Sequence, residues 1–195
     1  MIATRNLDGN RARKDCPAGS LCRAFTKAMR TLKKINLYSA PPETVFNYLD
    51  DLGVTGMHMT KSSMMMMGSK LNLKYLTPFK IGPGTQYRWT GKMMGMDMDF
   101  TVIVTKWIAG REKTWETIGP AKLIIYSWYR MHLDVAPIRN KTCAELSISY
   151  ERPAGLLSKI LSLIFGDLFG RWCLSNMLTD TERSIRKPSV AGCPR

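Results

Sequence analysis

INLYSAPPETVFNYLD, residues 35–50, changes period in its middle, and that change decides how the rest of the chain is read. Residues 31–39 have the composition of a strand, and Ala40, Pro41 and Pro42 stop it because proline supplies no N–H to a ladder. Pro42 then suits the first turn of a short helix carrying Glu43, Val45, Phe46, Tyr48 and Leu49, with Glu43 at the positive end of its dipole. Asp50, Asp51, Leu52 and Gly53 end that helix.

Downstream, β-branched, aromatic and methionine residues alternate with Gly and Pro punctuation. This predicts strands near 57–67, 70–77, 84–94, 97–108, 111–118, 123–136 and 141–151. Turns fall at Gly68-Ser69, Gly82-Pro83-Gly84, Gly95, Gly110, Gly119-Pro120 and Arg139-Asn140. Connectors this short imply an antiparallel meander, since parallel strands need long crossovers. After Pro153 the period changes again. Leu157, Ile160, Leu161, Ile164, Leu168, Trp172, Met177 and Leu178 fall near helical spacing, which predicts one helix of roughly thirty residues, ~45 Å long, ending about Lys187. Gly166 and Gly170 lie in its middle turns, where each costs ~1 kcal/mol relative to Ala. They mark either a bend or a close approach of the sheet or a ligand.

With 195 residues, 45% hydrophobic and 23% charged, the chain suits one sizeable globular core and excludes disorder as its main state. No apolar run approaches the ~18 residues of a membrane span; the best candidate, 156–169, is broken by Ser158, Lys159, Gly166 and Asp167. The net charge of +14 is unevenly spread: residues 1–34 hold nine basic and two acidic side chains, against twenty and thirteen in the remainder. Residues 1–30 therefore read as a basic extension without an apolar leader core, with a short amphipathic helix over 21–32 as its structured alternative. This tail is expected to touch an anionic surface weakly, whereas the moderately basic body gives no ground for specific nucleic-acid binding. Residues 188–195 read as a second loose tail, leaving 31–187 as the domain. Cys16, Cys22, Cys143, Cys173 and Cys193 form no CxxC pair and His58 and His132 are the two histidines, so no zinc site is expected. Free thiols fit a reducing, cytoplasmic setting.

The order strand, short helix, antiparallel meander, long apolar helix resembles the SRPBCC superfamily, also called START-like or Bet v 1-like. Within it, the resemblance is to the polyketide cyclase/dehydrase and lipid-transport group. It is carried by residues 35–50, by Gly82-Pro83-Gly84-Thr85 leading into Tyr87-Arg88-Trp89, by Trp107 through Trp115-Glu116-Thr117, and by Tyr150-Glu151-Arg152-Pro153 before the last helix. The resemblance implies an α+β helix-grip fold, a curved antiparallel sheet of six to seven strands wrapped around a long C-terminal helix. It also implies a cavity between them for an apolar ligand.

Alternation assigns Ile125, Ser127, Tyr129, Met131 and Leu133 to the helix-facing side of one strand, and Ile124, Tyr126, Trp128, Arg130, His132 and Asp134 to the other side. By the same rule Leu146, Ile148 and Tyr150, and Phe100, Val102 and Val104, face inward, joined by Trp89 and Trp115. The expected ligand-binding set is thus Trp89, Phe100, Val102, Trp115, Tyr129, Met131 and Tyr150 from the sheet, with Ile164, Leu168 and Trp172 from the helix. Such walls offer large apolar surfaces and a few hydroxyl handles. Ten of the fourteen methionines lie between Met57 and Met98, including the run 64–67, and read either as an adaptable pocket wall or as gap-filling in a core.

The function expected is a binding protein, carrier or sensor, that encloses a hydrophobic small molecule or lipid, with no cofactor. Motion of the helix, with Gly166 and Gly170 as hinges, or of the loops after Asp50 and Gly119, would release the ligand. The alternative is a cyclase/dehydratase-type enzyme acting on an aromatic or polyketide-like substrate in the same cavity, with His58 or Asp99 the first acid–base groups to test. His132, Asp97, Arg88 and Glu116 complete the polar candidates, and none forms a recognisable catalytic order. No catalytic residue is assigned.

Overall fold

The computed structural model describes residues 29–60, 70–93 and 95–186. The elements are β1 (Arg30–Tyr38), α1 (Pro42–Asp50), α2 (Leu52–Thr55), α3 (Met57–Thr60), β2 (Leu71–Tyr75), β3 (Gln86–Met93), β4 (Met96–Ile108), β5 (Glu112–Lys122), β6 (Trp128–Ile138), β7 (Lys141–Glu151) and α4 (Leu156–Arg186). The seven strands make one antiparallel sheet in the order β1-β7-β6-β5-β4-β3-β2, and the long helix lies across it. Two register shifts in the β4–β5 pairing, between Asp99 and Thr101 and between Val104 and Lys106, bend the sheet locally. Gly110, at φ 70°, supplies the left-handed residue that the tight β4–β5 turn requires.

Pro42 occupies the start of α1, and Val45, Phe46 and Leu49 form its buried face. The helix stops at Asp51, but this residue also caps α2 by accepting a 2.7 Å hydrogen bond from the Gly53 amide. Leu52 and Gly53 thus begin a further helical turn. Residues 57–60, expected in a strand, continue as α3, because the Met59 and Thr60 amides both bond back to the Gly56 carbonyl. Leu32, placed in the candidate amphipathic helix over 21–32, instead pairs with Ile148 in the β1–β7 ladder, where its apolar side chain is buried. The first 28 residues, the methionine run 64–67 and residues 187–195 lie outside the described residues.

A third difference concerns residues 123–127. Ile124, Ile125 and Tyr126 are all buried, which three successive strand residues facing a one-sided core cannot be. They form a turn beneath α4, and β6 begins only at Trp128. The outward assignment of Ile124 and Tyr126 is corrected accordingly; Met131 and Leu133, on β6 proper, do face the core.

The second half of α4 buries Cys173, Leu174, Met177 and Leu178 against α1, α2 and β1, and the Tyr38 hydroxyl donates to the Leu178 carbonyl at 2.9 Å. The helix is continuous through Gly166 and Gly170, which sit where the sheet side comes closest. A methyl group at Gly170 would lie 2.8 Å from Leu32 Cδ1 and 3.0 Å from the Tyr126 hydroxyl, whereas at Gly166 the nearest atom is Ser162 Oγ at 3.3 Å. Alanine gains ~1 kcal/mol of helix propensity at either position, but overpacking costs ~1–3 kcal/mol. Gly170→Ala is expected to lower the Tm by several degrees in calorimetry, and Gly166→Ala to change it much less. A higher Tm for Gly170→Ala would mean that Leu32 and Tyr126 step aside freely.

A candidate apolar site between the sheet and the long helix

The concave face of the sheet carries Trp89 on β3, Met98 and Phe100 on β4, Trp115 on β5, Tyr129 and Met131 on β6 and Ile148 on β7. Phe169, Cys173 and Met177 of α4 roof this surface, Met59 of α3 closes one side, and residues 123–126 close another. Among the described residues, two small spaces lie between these walls. One, of about 70 Å³, lies under Phe169 and Cys173; the other, of about 40 Å³, lies among Tyr87, Trp89, Trp115 and the α2 turn. Both are bordered by Met59, Tyr129, Met131 and Met177, which form the partition between them. Pockets for drug-sized molecules are typically ~300–1,000 Å³, so neither space holds such a molecule in this conformation.

Of the residues expected to line a cavity, Phe100, Tyr129 and Met131 border the larger space, and Trp89, Trp115, Tyr129 and Met131 the smaller. Val102 and Tyr150 are fully buried on inward faces but border neither space. Trp172 is half-buried and packs on Phe169, with ring centroids 5.6 Å apart. Ile164 and Leu168 are corrected: both are exposed on the outer side of α4. Leucine and isoleucine surround the first half of this helix, so periodicity does not reveal which side meets the sheet. The glycines do. Gly166 and Gly170 face the sheet, and Phe169, Cys173 and Met177 continue that side at helical spacing.

The chemistry of the lining is neutral. The Tyr126 hydroxyl donates to the Gly166 carbonyl at 2.6 Å, and burial drives its pKa, that of Tyr129 and that of the Cys173 thiol far above their ordinary values. All three stay protonated at neutral pH. Just beyond, the Tyr126 and Tyr150 rings lie 4.2 Å apart, and the Tyr150 hydroxyl donates to Asp167, which Arg30 also pairs. This cluster ties the middle of α4 to β7 and β1.

The polar candidates lie elsewhere. Arg88 grips Asp99 through two hydrogen bonds on the exposed side of the β3–β4 pair, which holds the carboxyl below its ordinary value. Glu116 pairs with Arg130 at 2.6 Å, His132 Nδ1 lies 3.0 Å from Thr114 Oγ1, and Asp97 is exposed. His58 belongs to α3. Sequence reading missed a buried ion pair altogether. Lys113 projects inward beside Trp115 and its Nζ lies 2.5 Å from Asp50 Oδ1, while Trp107 Nε1 donates to Asp50 Oδ2 at 3.0 Å. Among the described residues no group of three or more His, Cys, Asp and Glu side chains is arranged to hold a metal, and no helix is long and apolar enough to cross a membrane.

No family model and no curated protein significantly matches the chain. Solved structures do. A Thermus thermophilus protein superposes with a TM-score of 0.61 at 16% identity, over 82% of this chain and 99% of that one. An aromatase/cyclase from Streptomyces gives 0.60 at 15% identity, over 83% and 99%. Norcoclaurine synthase from Thalictrum flavum, solved with dopamine and hydroxybenzaldehyde, gives 0.60 at 11% identity, over 92% and 99%. Strand order, the grip on the last helix and these superpositions agree: the chain has the Bet v 1-like helix-grip fold.

Proposed function

We propose that the chain is a carrier or sensor that takes a hydrophobic small molecule or lipid between the sheet and α4. The observation that carries this reading is the partition of the two apolar spaces. Three of its four side chains are methionines, and Met98 borders the larger space as a fourth methionine. Methionine is unbranched, has three rotatable side-chain bonds and repacks at little cost, so rotation of these residues merges the spaces without breaking the sheet. A ligand entering there gains ~25 cal/mol for each Å² of apolar surface removed from water. The Tyr129 hydroxyl supplies a polar handle to orient it. The neighbouring folds that are named as an aromatase/cyclase and a norcoclaurine synthase give the enzymatic alternative its support. Within the described lining, however, the ionisable groups are phenols and a thiol held protonated, which donate hydrogen bonds and abstract no protons.

Native mass spectrometry of gently purified protein, followed by organic extraction, tests this reading. The expected result is an added mass of a few hundred daltons that disappears on denaturation. An apolar fluorescent probe should bind the stripped protein, and Met177→Phe, which fills the partition, should weaken that binding at least about tenfold while retaining the fold. A clean unliganded mass together with no probe uptake would overturn the proposal.

A further inference from the structure

Sulfur is concentrated at one place in this core. Four methionines, Met59, Met98, Met131 and Met177, and one cysteine, Cys173, border the same space of about 70 Å³ beneath α4. They come from four different elements, α3, β4, β6 and α4. Cys173 and Met177 stand one turn apart on α4, so their side chains share a face. Met59, Met131 and Met177 also border the neighbouring space, which places these three side chains in the partition. Among the described residues this lining holds no carboxylate, imidazole or amine. Leucine would fill such positions with better-defined rotamers; what methionine and cysteine add is a soft donor atom.

We propose that these side chains form a site for one soft monovalent cation, cuprous copper, with the Cys173 thiolate and the thioethers of Met59, Met131 and Met177 as ligands. Thiolate and thioether ligands select Cu(I), whereas Mg, Ca and Mn ask for the carboxylate and carbonyl donors this lining lacks. Charge decides against zinc. One thiolate leaves Zn(II) with a net positive charge in an apolar core, where an uncompensated charge is costly, but it neutralises Cu(I) outright. Size agrees as well: a water needs only ~10–15 Å³, so a space of about 70 Å³ admits a single ion. Burial keeps the Cys173 thiol protonated without metal. Binding therefore breaks the S–H bond, forms a Cu–S bond and releases one proton to solvent, and copper stays in the +1 state throughout. Met59 is half-buried, whereas Cys173, Met131 and Met177 are at most 8% exposed. Met59 is thus the ligand that meets an ion arriving from solvent and passes it inward by thioether exchange. This inference goes beyond apolar-ligand uptake: it depends on the donor atoms of the lining, and uptake depends on volume.

Anaerobic titration of the full chain with Cu(I), supplied as its bicinchoninate complex, tests it. Cys16, Cys22, Cys143 and Cys193 offer competing thiols, so the decisive background is Cys16→Ser/Cys22→Ser/Cys143→Ser/Cys193→Ser. This variant is expected to draw one Cu(I) per chain from the chelator, to release one proton as it does so, and to show an all-sulfur first shell by X-ray absorption. Loss of an outer partner of a metal site already costs ~10–100-fold in affinity, so adding Cys173→Ala should cost at least about a hundredfold and abolish the proton release. Adding Met59→Leu/Met177→Leu instead conserves side-chain volume, so the metal-free protein should melt near the background temperature while Cu(I) affinity falls at least about tenfold. Bound copper should raise the melting temperature of the background variant and not that of the Cys173→Ala protein. No Cu(I) uptake in the four-serine background would assign copper to the other thiols and overturn the proposal. Undiminished uptake after Cys173→Ala, or after the leucine pair, would overturn it too. Apolar probe uptake is read separately, so failure of the copper site and failure of the carrier reading are distinguishable.

Discussion

Replacing Lys113 with methionine is expected to cost the fold about 3–5 kcal/mol, the penalty for breaking one side of a buried ion pair. The Lys113 side chain is 4% exposed and that of Asp50 10%, so removing the ammonium strands a carboxylate with the Trp107 indole N–H and little water. Lys113 also donates to the Asp50 backbone carbonyl at 3.2 Å, which anchors the last turn of α1 to β5. Adding Asp50→Asn removes the stranded charge while keeping an acceptor for Trp107. The double variant should therefore recover most of the loss. Urea midpoints of the wild type, the single and the double variant measure this, and a single variant within about 1 kcal/mol of wild type would show that the pair is solvated. The pH dependence has a definite sign. Burial pushes the Lys113 pKa below the ordinary 10.5, although Asp50 pulls it back. Between that lowered value and 10.5 the unfolded chain binds more protons than the folded one, so this group's contribution to stability rises with pH.

At higher pH the tyrosines reverse that trend, and alkaline unfolding is the second large effect expected. Burial raises the Tyr38 and Tyr150 pKa values from 10.0 to about 12, and it raises those of Tyr75, Tyr87, Tyr126 and Tyr129 as well. In each case the folded state holds the proton more tightly, so the stabilisation is complete below pH 10 and is lost as pH climbs through the folded value. A two-unit shift is worth about 3 kcal/mol per phenol, against total stabilities of about 5–15 kcal/mol. The fold should therefore collapse cooperatively between pH 10 and 12, with loss of circular dichroism coinciding with the rise of the tyrosinate band. Phenols that ionise near pH 10 while the circular dichroism persists would contradict the buried placement.

What the sequence made legible follows the range of the forces involved. The start of α1 rests on Pro41, Pro42 and Glu43, and the meander on short connectors between β-rich runs; both signals are local, and both elements stand where the pattern put them. The same short range explains the misses. Residues 57–60 and 123–127 have strand-like composition, but backbone bonds to Gly56 and burial beneath α4 decide their conformation. Half of the site was legible, since alternation puts Trp89, Phe100, Trp115, Tyr129 and Met131 on the concave face. The roof was not, because an all-round apolar helix hides its orientation. Its cavity-facing residues, Phe169, Cys173 and Met177, are found only by starting from the two glycines. The Lys113–Asp50 pair, 63 residues apart in the chain, leaves no local trace.

The strand order carries a kinetic consequence. Five of the six ladders join strands that follow one another, so hairpins can zip as the chain emerges from a ribosome. The sixth is different: β1 pairs only with β7, and Thr31 and Ser149, which meet across that ladder, are 118 residues apart. Closing so long a loop comes late, and until then the first strand synthesised is the last to find its partner.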